Sequence, residues 1–366
     1  MTRSTGPLQY FRIVPYQTGF VLQMPTCDTA PRVPDFQPIH VLTETFKEYN
    51  RWGRILGVNT VGRLNEIIAA NEIKDFVKVA EALHEKKIAA IADQIASNSS
   101  IKWILIAGPS SSGKTTFAKR LAIQLRVNGL RPVTLGTDDY FVDREHTPRT
   151  PTGEYDFEHL HAVDVPTLNR DLADLDAGRE IQRPTFDFHT GSRSYKGKTL
   201  RLDDDQVVVL EGIHSLNPEL TPGLPDARKF HVYISALTQL NLDNNNRIPT
   251  TDNRLLRRLV RDHRYRGHSA TRTLEMWPNV GRGERAWIFP FQEEADAVFN
   301  SALDYELAIL SVLARPLLSE IKPHQPVYAE ARRMLEFLSH FLPLAADVPP
   351  PTSIIREFVG GSDFDY

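Results

Sequence analysis

Hydrophobic and polar positions change period along this chain. Five short apolar runs, at 103–107, 132–136, 206–210, 229–235 and, more weakly, 296–300, read as buried strands. Between them, 115–128, 164–177, 252–265 and 302–314 place apolar residues at helical spacing. The first helix carries Phe117, Leu121 and Leu125 at i, i+4 and i+8 and is closed by Gly129, and the second is closed by Gly178. This alternation predicts an α/β fold, a parallel sheet flanked by helices. Upstream, 60–97 is helical, with Phe76, Val79, Leu83, Ile88 and Ile91 on the long stretch from 74 to 95. Residues 1–50 are broken by prolines, with strand-like pieces at 11–14 and 19–22. The polar run at 96–100 reads as a domain boundary. The expected organisation is a smaller α+β N-terminal domain at 1–97, a larger domain at 98–320, and a tail at 321–366. The tail holds a helix around 328–338, then three prolines and an end rich in Gly and acid that is expected to fray.

Composition narrows the function classes. The 366 residues are 41% hydrophobic and 24% charged, ordinary for a water-soluble globular chain, with a net charge of −3. That balance argues against a body that wraps nucleic acid; any positive patch must be local. Cys27 is the only cysteine, so no internal disulfide forms, a lone thiol is a poor zinc site, and a reducing, cytoplasmic setting is favoured. No run approaches the roughly eighteen apolar residues of a spanning helix, and the N-terminus lacks the apolar segment of a secretory signal. A small-molecule partner is expected, with no membrane; a homo-oligomer stays open.

Residues 108–115 read Gly-Pro-Ser-Ser-Ser-Gly-Lys-Thr, the GxxxxGK[ST] pattern, between the first strand of the sheet and a helix. A strand, a tight glycine loop and a helix N-terminus build a cradle of N–H groups for an anion. Gly108, Ser110, Ser111, Ser112, Gly113, Lys114, Thr115 and Thr116 are the expected nucleotide contacts. Lys114 reaches the β/γ-phosphates and Thr115 sets its hydroxyl on Mg²⁺, so ATP and Mg²⁺ are the implied cofactors. The motif points to a nucleoside triphosphate without choosing between kinase, switch and motor.

Ligands bind beyond the carboxyl ends of strands in open parallel sheets, so Asp138 and Asp139, after the second strand, should stand beside this loop. A carboxylate there can take a proton from an attacking hydroxyl or help hold metal. Glu211 ends the apolar third strand and fits a metal-coordinating acid. The segment 247–285 holds ten arginines against four acids. At helical spacing Arg254, Arg257, Arg258, Arg261 and Arg264 share one arc, while Leu255, Leu256, Leu259, Val260 and His263 lie opposite. An arginine face suits phosphate and reads either as a lid, with Gly267 as its hinge, or as a nucleic-acid stripe; the acidic total favours the lid. His159 and His161 form an HxH with no third ligand apparent, and Trp277, Trp287 and Phe289 read as packing.

These motifs carry a resemblance. Residues from about 101 to 305 resemble the uridine kinase/phosphoribulokinase family. The carrying elements are the phosphate loop, Thr137-Asp-Asp-Tyr-Phe, Tyr155-Asp-Phe-Glu-His, Arg183-Pro-Thr-Phe-Asp-Phe, Val209-Leu-Glu-Gly-Ile, and the arginine run from Arg254 to Gly267. The whole chain resembles a subgroup fused behind a region similar to part of threonyl-tRNA synthetase. The resemblance implies a P-loop kinase fold with Asp138 as catalytic carboxylate, Lys114 on the phosphates, Glu211 near the metal, and Arg261 and Arg266 as lid arginines. It places Tyr140, Glu158 and Phe186 in the acceptor pocket, with His189 and Arg258 as further substrate contacts. Glu158 stands where an Asp is usual, Phe186 where a Tyr is usual, and Gly191 where a base-binding His is expected, so the pocket chemistry differs. The N-terminal region lacks the HxxxH of a hydrolytic editing site. The expected activity is transfer of the γ-phosphoryl group of ATP to a hydroxyl of a small molecule, a nucleoside first. The alternatives are a sugar or phosphosugar kinase, an RNA-associated ATPase or switch, and a protein that binds ATP without turnover.

Overall fold

The computed structural model describes residues 9–365 apart from 18, 26–28, 37, 39, 151–152 and 188–189. The expectations placed on Cys27 and His189 fall outside the described residues. The chain forms two compact units, 1–40 and 41–366. The first holds an antiparallel hairpin of β1 (Arg12–Tyr16) and β2 (Gly19–Gln23), the two strands foreseen there.

The second unit opens with three helices, α1 (His40–Leu56), α2 (Val61–Ala69) and α3 (Ile73–Ala96). It continues through β3 (Trp103–Ala107), α4 (Lys114–Val127), β4 (Arg131–Gly136), α5 (Val165–Asp176) and the hairpin β5 (Ile181–Asp187) and β6 (Ser192–Leu200). Then come β7 (Gln206–Glu211), β8 (Lys229–Ser235), α6 (Thr250–Arg266), α7 (Ala270–Trp287) and β9 (Ala297–Asn300). It closes with α8 (Glu306–Ser319), α9 (Tyr328–Ser339) and the short α10 (Arg356–Val359).

The main sheet has the order β4-β7-β3-β8-β9, with every pairing parallel. The inner strands β3 and β7 are apolar on both sides because both faces are covered. Ile104, Ile106, Val207 and Val209 enter one core, and Trp103, Leu105, Val208 and Leu210 enter the other. Period-2 alternation thus sorts one strand sequence into two cores. The first core also takes Phe76, Ile88, Ile91 and Ile95 of α3 and Phe117, Leu121 and Leu125 of α4. Arg120 of α4 pairs with Glu85 at 2.6 Å. The polar run at 96–100 therefore joins α3 to β3 inside one unit, and the division falls after His40 rather than after residue 97.

The tail is anchored just ahead of its Gly- and acid-rich end, which has no regular structure over 361–365. Ile354, Ile355, Phe358 and Val359 are buried in the first core, which also takes Phe117 of α4 and Leu256 of α6. Among the described residues no helix is long and apolar enough to cross a membrane.

Candidate active site

The phosphate loop leaves β3, the central strand, and enters α4. Ser111 (φ 60°) and Gly113 (φ 84°) take left-handed conformations that fold the chain back. A Cβ at Gly113 would stand 2.5 Å from Ile354 Cγ2, so this position needs glycine for space as well as for φ. The first N–H groups of α4 have no intrahelical acceptor and sit at the positive end of the helix. Lys114 Nζ donates to the carbonyls of Gly108 (3.0 Å) and Pro109 (3.3 Å), which holds the ammonium over the loop. The hydroxyls of Ser111 and Ser112 are buried with no hydrogen-bond partner among the described residues. Such orphaned donors, with the amides and Lys114, fit a polyphosphate.

Strand register brings the acids to this loop. Ile106 of β3 and Gly136 of β4 both align with Glu211 of β7, so three strand ends finish level. Any Cβ at Gly212 would collide with the Thr137 side chain; the bare glycine lets the two chain ends touch. Thr115 Oγ1 donates to Glu211 Oε1 at 3.0 Å. Burial pushes the Glu211 carboxyl up to about 7; Lys114 pulls it down, while the charges of Asp138 and Glu357 raise it further. Asp138 is exposed in the 3-10 turn Thr137–Tyr140. Asp139 is engaged away from the loop. Its carboxylate accepts from Phe186 N at 3.4 Å, and burial raises it.

The first half of the arginine helix departs from the reading of a mobile lid. Arg254, Arg257 and Arg258 of α6 are buried. Arg254 Nε donates to the Ser110 carbonyl (3.1 Å), and its guanidinium pairs with Glu284 of α7. Arg257 donates to Glu306 (2.8 Å), the Ser301 carbonyl (2.7 Å) and the Ser111 carbonyl (3.4 Å). Arg258 donates to Ser110 Oγ at 2.8 Å. Acids from α7 and α8 that lie far away in sequence neutralise what looked like an unbalanced cationic face. Arg254 and Arg257 are scaffolding beneath the loop. His263, expected among the apolar positions, is exposed.

The end of α6 differs. Arg258, Arg261 and Arg266 converge on one buried carboxylate, Asp262. Burial works to raise that carboxyl, but Arg261, Arg258 and Arg266 together hold it below the usual range. The charge of Arg261, then burial, brings Arg266 down to about 10, while Asp262 and Asp138 oppose the shift. Arg261 and Arg266 share this one carboxylate, and Arg266 also feels the charge of Asp138; a transferring phosphoryl group there would add negative charge.

On the acceptor side, Glu158 lies within 3.9 Å of Arg258, with Gly283 of α7 packed against it. Burial raises its carboxyl, and Arg258 and Lys114 pull it back. Phe186 meets Phe141 edge to face at 5.6 Å. Tyr140 is buried and its hydroxyl donates to Asp171 of α5 at 3.2 Å, so its polar end is already engaged. His159 packs its ring 4.5 Å from Trp287 and 5.3 Å from His161.

Four site residues escape the sequence reading. Glu284 accepts from Ser110 N at 3.1 Å, and burial pushes its carboxyl up against the pull of Arg254. Ser301 Oγ donates to the Ser112 carbonyl at 2.5 Å, and Glu306 holds Arg257. Glu357 accepts from Thr116 N and Oγ1. Each is an isolated residue outside any motif; the surplus of arginine over acid in 247–285 was the one available signal that acids could come from elsewhere.

Among the described residues no three His, Cys, Asp or Glu side chains gather as a ready metal cage. Thr115 and Glu211 nevertheless fit Mg²⁺, which takes one or two protein oxygens and completes its shell with phosphate and water.

Comparison with known proteins places this geometry. Residues 103–308 match the model of the Phosphoribulokinase / Uridine kinase family. Uridine kinase of Staphylococcus epidermidis is 29% identical over 205 residues, covering 56% of this chain and 89% of that protein. Uridine kinase of Brevibacillus brevis is 30% identical over 194 residues, 53% of this chain and 81% of that one. A solved chain described as a possible uridine kinase from Bacillus stearothermophilus is 24% identical, with a TM-score of 0.39 over 59% of this chain and 98% of its own. With the family model spanning more than half its length, this chain belongs to the phosphoribulokinase/uridine kinase family.

Proposed function

We propose that this protein is an ATP- and Mg²⁺-dependent kinase that transfers the γ-phosphoryl group to a hydroxyl of a nucleoside. The observation that carries the reading is the meeting of Lys114, Thr115 and Glu211 at the carboxyl ends of β3 and β7, in a chain whose family match covers those residues. The uridine kinase relatives support a nucleoside as the acceptor. The loop amides and Lys114 bind the phosphates, and Thr115 and Glu211 hold the metal, which when bound neutralises charge on the phosphate oxygens. Asp138 takes the proton as the acceptor oxygen forms its bond to phosphorus and the bond to the leaving diphosphate oxygen breaks. Arg261 and Arg266 stabilise charge on the transferring group. Glu158 and Phe186 line the acceptor pocket, with His189 and Arg258 as further contacts. Catalysis is then chiefly positioning and charge stabilisation.

Residues 1–97 we read as a synthetase-like remnant whose helical part serves packing. The burial of Phe76, Ile88 and Ile91 of α3 against the sheet supports that role. A screen of nucleosides, sugars and phosphosugars with ATP and Mg²⁺, followed by ADP release and product mass, tests the proposal. A monophosphorylated nucleoside is expected. ATP hydrolysis with no phosphorylated product refutes the kinase reading, and a phosphorylated sugar alone refutes the nucleoside.

A further inference from the structure

The C-terminal strap lies against the phosphate loop and is fixed there by several independent contacts. Ser353 Oγ donates to Glu81 at 2.5 Å, and Tyr305 donates to the same carboxylate oxygen at 2.6 Å. Ile354 packs on Gly113. Arg356 donates to the carbonyls of Ala346 (2.8 Å) and Gly360 (3.2 Å), which ties the strap to itself. The Arg257 guanidinium stands 5.0 Å from the ring centre of Phe358. Between these anchors, Glu357 reaches α4: its Oε2 accepts from the Thr116 amide at 3.1 Å and from the Thr116 hydroxyl at 2.8 Å.

Thr116 is in the first turn of α4, three residues beyond Gly113. Its amide is one of the donors at the positive helix end, the kind of group with which a phosphate loop cradles α- and β-phosphates. A carboxylate already holds that donor and the adjacent hydroxyl. A phosphate oxygen seeking the same two donors meets a negative charge in its place, and one N–H does not serve two anions at full strength. The Glu357 charge is also felt at Glu211.

We propose that Glu357 is a resident anion of the nucleotide site, one that competes with the nucleotide for Thr116 and thereby sets its affinity. Nucleotide entry displaces the carboxylate from the amide, and departure lets it return. The inference rests on the reading that the loop 108–115 holds a nucleoside triphosphate. It is distinct from the opposite role, a carboxylate that supports the bound nucleotide, because the two predict opposite signs on its removal.

The test is calorimetric titration of the full chain with the non-hydrolysable ATP analogue AMPPNP and Mg²⁺. The proteins compared are wild type, Glu357→Gln, Glu357→Ala and, as a marker of the loop, Lys114→Ala. Losing a charge-assisted competitor is expected to tighten binding about tenfold in both Glu357 variants, with Lys114→Ala weakening it. Equal or weaker binding by the Glu357 variants overturns the inference while leaving the nucleotide reading intact. No binding by any of the proteins overturns both. Hydrogen exchange on wild type gives a reading independent of mutation: amides at 353–360 should exchange faster when AMPPNP is added, and unchanged or slower exchange counts against displacement.

Discussion

Replacing Arg257 by alanine separates a scaffold from a lid. Arg257 and Glu306 are 0% and 1% exposed in their side chains and pair at 2.7 Å. The same guanidinium holds Ser301 and the Ser111 carbonyl, while Glu306 also accepts from Asn253 at 2.6 Å. Arg257→Ala therefore leaves a buried carboxylate with its cation gone and removes one tie to the loop. Breaking a buried pair from one side costs about 3–5 kcal/mol. For a unit spanning 41–366 the unfolding entropy is on the order of 0.7 kcal/mol/K, so the thermal midpoint should drop by roughly 4–7 °C. Calorimetry reads this directly. The double variant Arg257→Met/Glu306→Leu, which removes both charges, should recover most of the loss. Arg261→Ala, at the partly exposed end of the helix, should move the midpoint less and lower turnover more. A midpoint for Arg257→Ala within 1–2 °C of wild type (roughly 1 kcal/mol) would refute the scaffold reasoning and return Arg257 to the mobile lid.

Asp138→Asn should cut turnover about 100-fold or more while changing the nucleotide dissociation constant little, as expected when a general base is lost; steady-state kinetics beside titration reads both. Gly113→Ala forces a side chain into a left-handed position against Ile354, so nucleotide binding should fall sharply, measurable by titration. His84 is buried between Phe299 and the Ala302 carbonyl, and burial, then Arg120, brings its pKa from 6.5 to about 3. Its folded form resists protonation that the unfolded chain accepts, so its stability is present above pH 6.5 and drains away as pH falls toward 3. Between pH 6.5 and 5 that amounts to about 2 kcal/mol, and urea unfolding of His84→Gln should lose this part of the slope.

Much of the sheet was legible because its strands are short, apolar and separated by helices of regular period. All five predicted strands match within one residue at each end, the weakest, 296–300, appearing as Ala297–Asn300. The glycine loop and the acids at strand ends were legible for a geometric reason: parallel strands deliver their C-terminal residues to one edge. What stayed hidden depends on long-range partners. The helix α7 carries Pro278, Gly281 and Gly283, which break the apolar period, and it forms because Thr273, Leu274 and Val280 are buried by tertiary packing. The hairpin of β5 and β6 is largely exposed, so it lacks the burial that creates a strong pattern. The predicted helix 302–314 begins instead at Glu306, whose carboxylate accepts from the Leu303 amide and is drawn into the arginine network. The arginine arc was correctly drawn on the helix and misassigned in environment. Periodicity gives the angular position of a side chain, but whether Arg254 and Arg257 meet solvent or a buried acid is decided by Glu284 and Glu306.

A crystal structure of the full chain with AMPPNP, Mg²⁺ and a nucleoside tests the central claim most directly. The account predicts the triphosphate in the loop 108–115, Thr115 and Glu211 on the metal side, and Asp138 within hydrogen-bond reach of the acceptor hydroxyl. Nucleotide bound away from the loop, or an acceptor hydroxyl far from Asp138 in a closed complex, would contradict it.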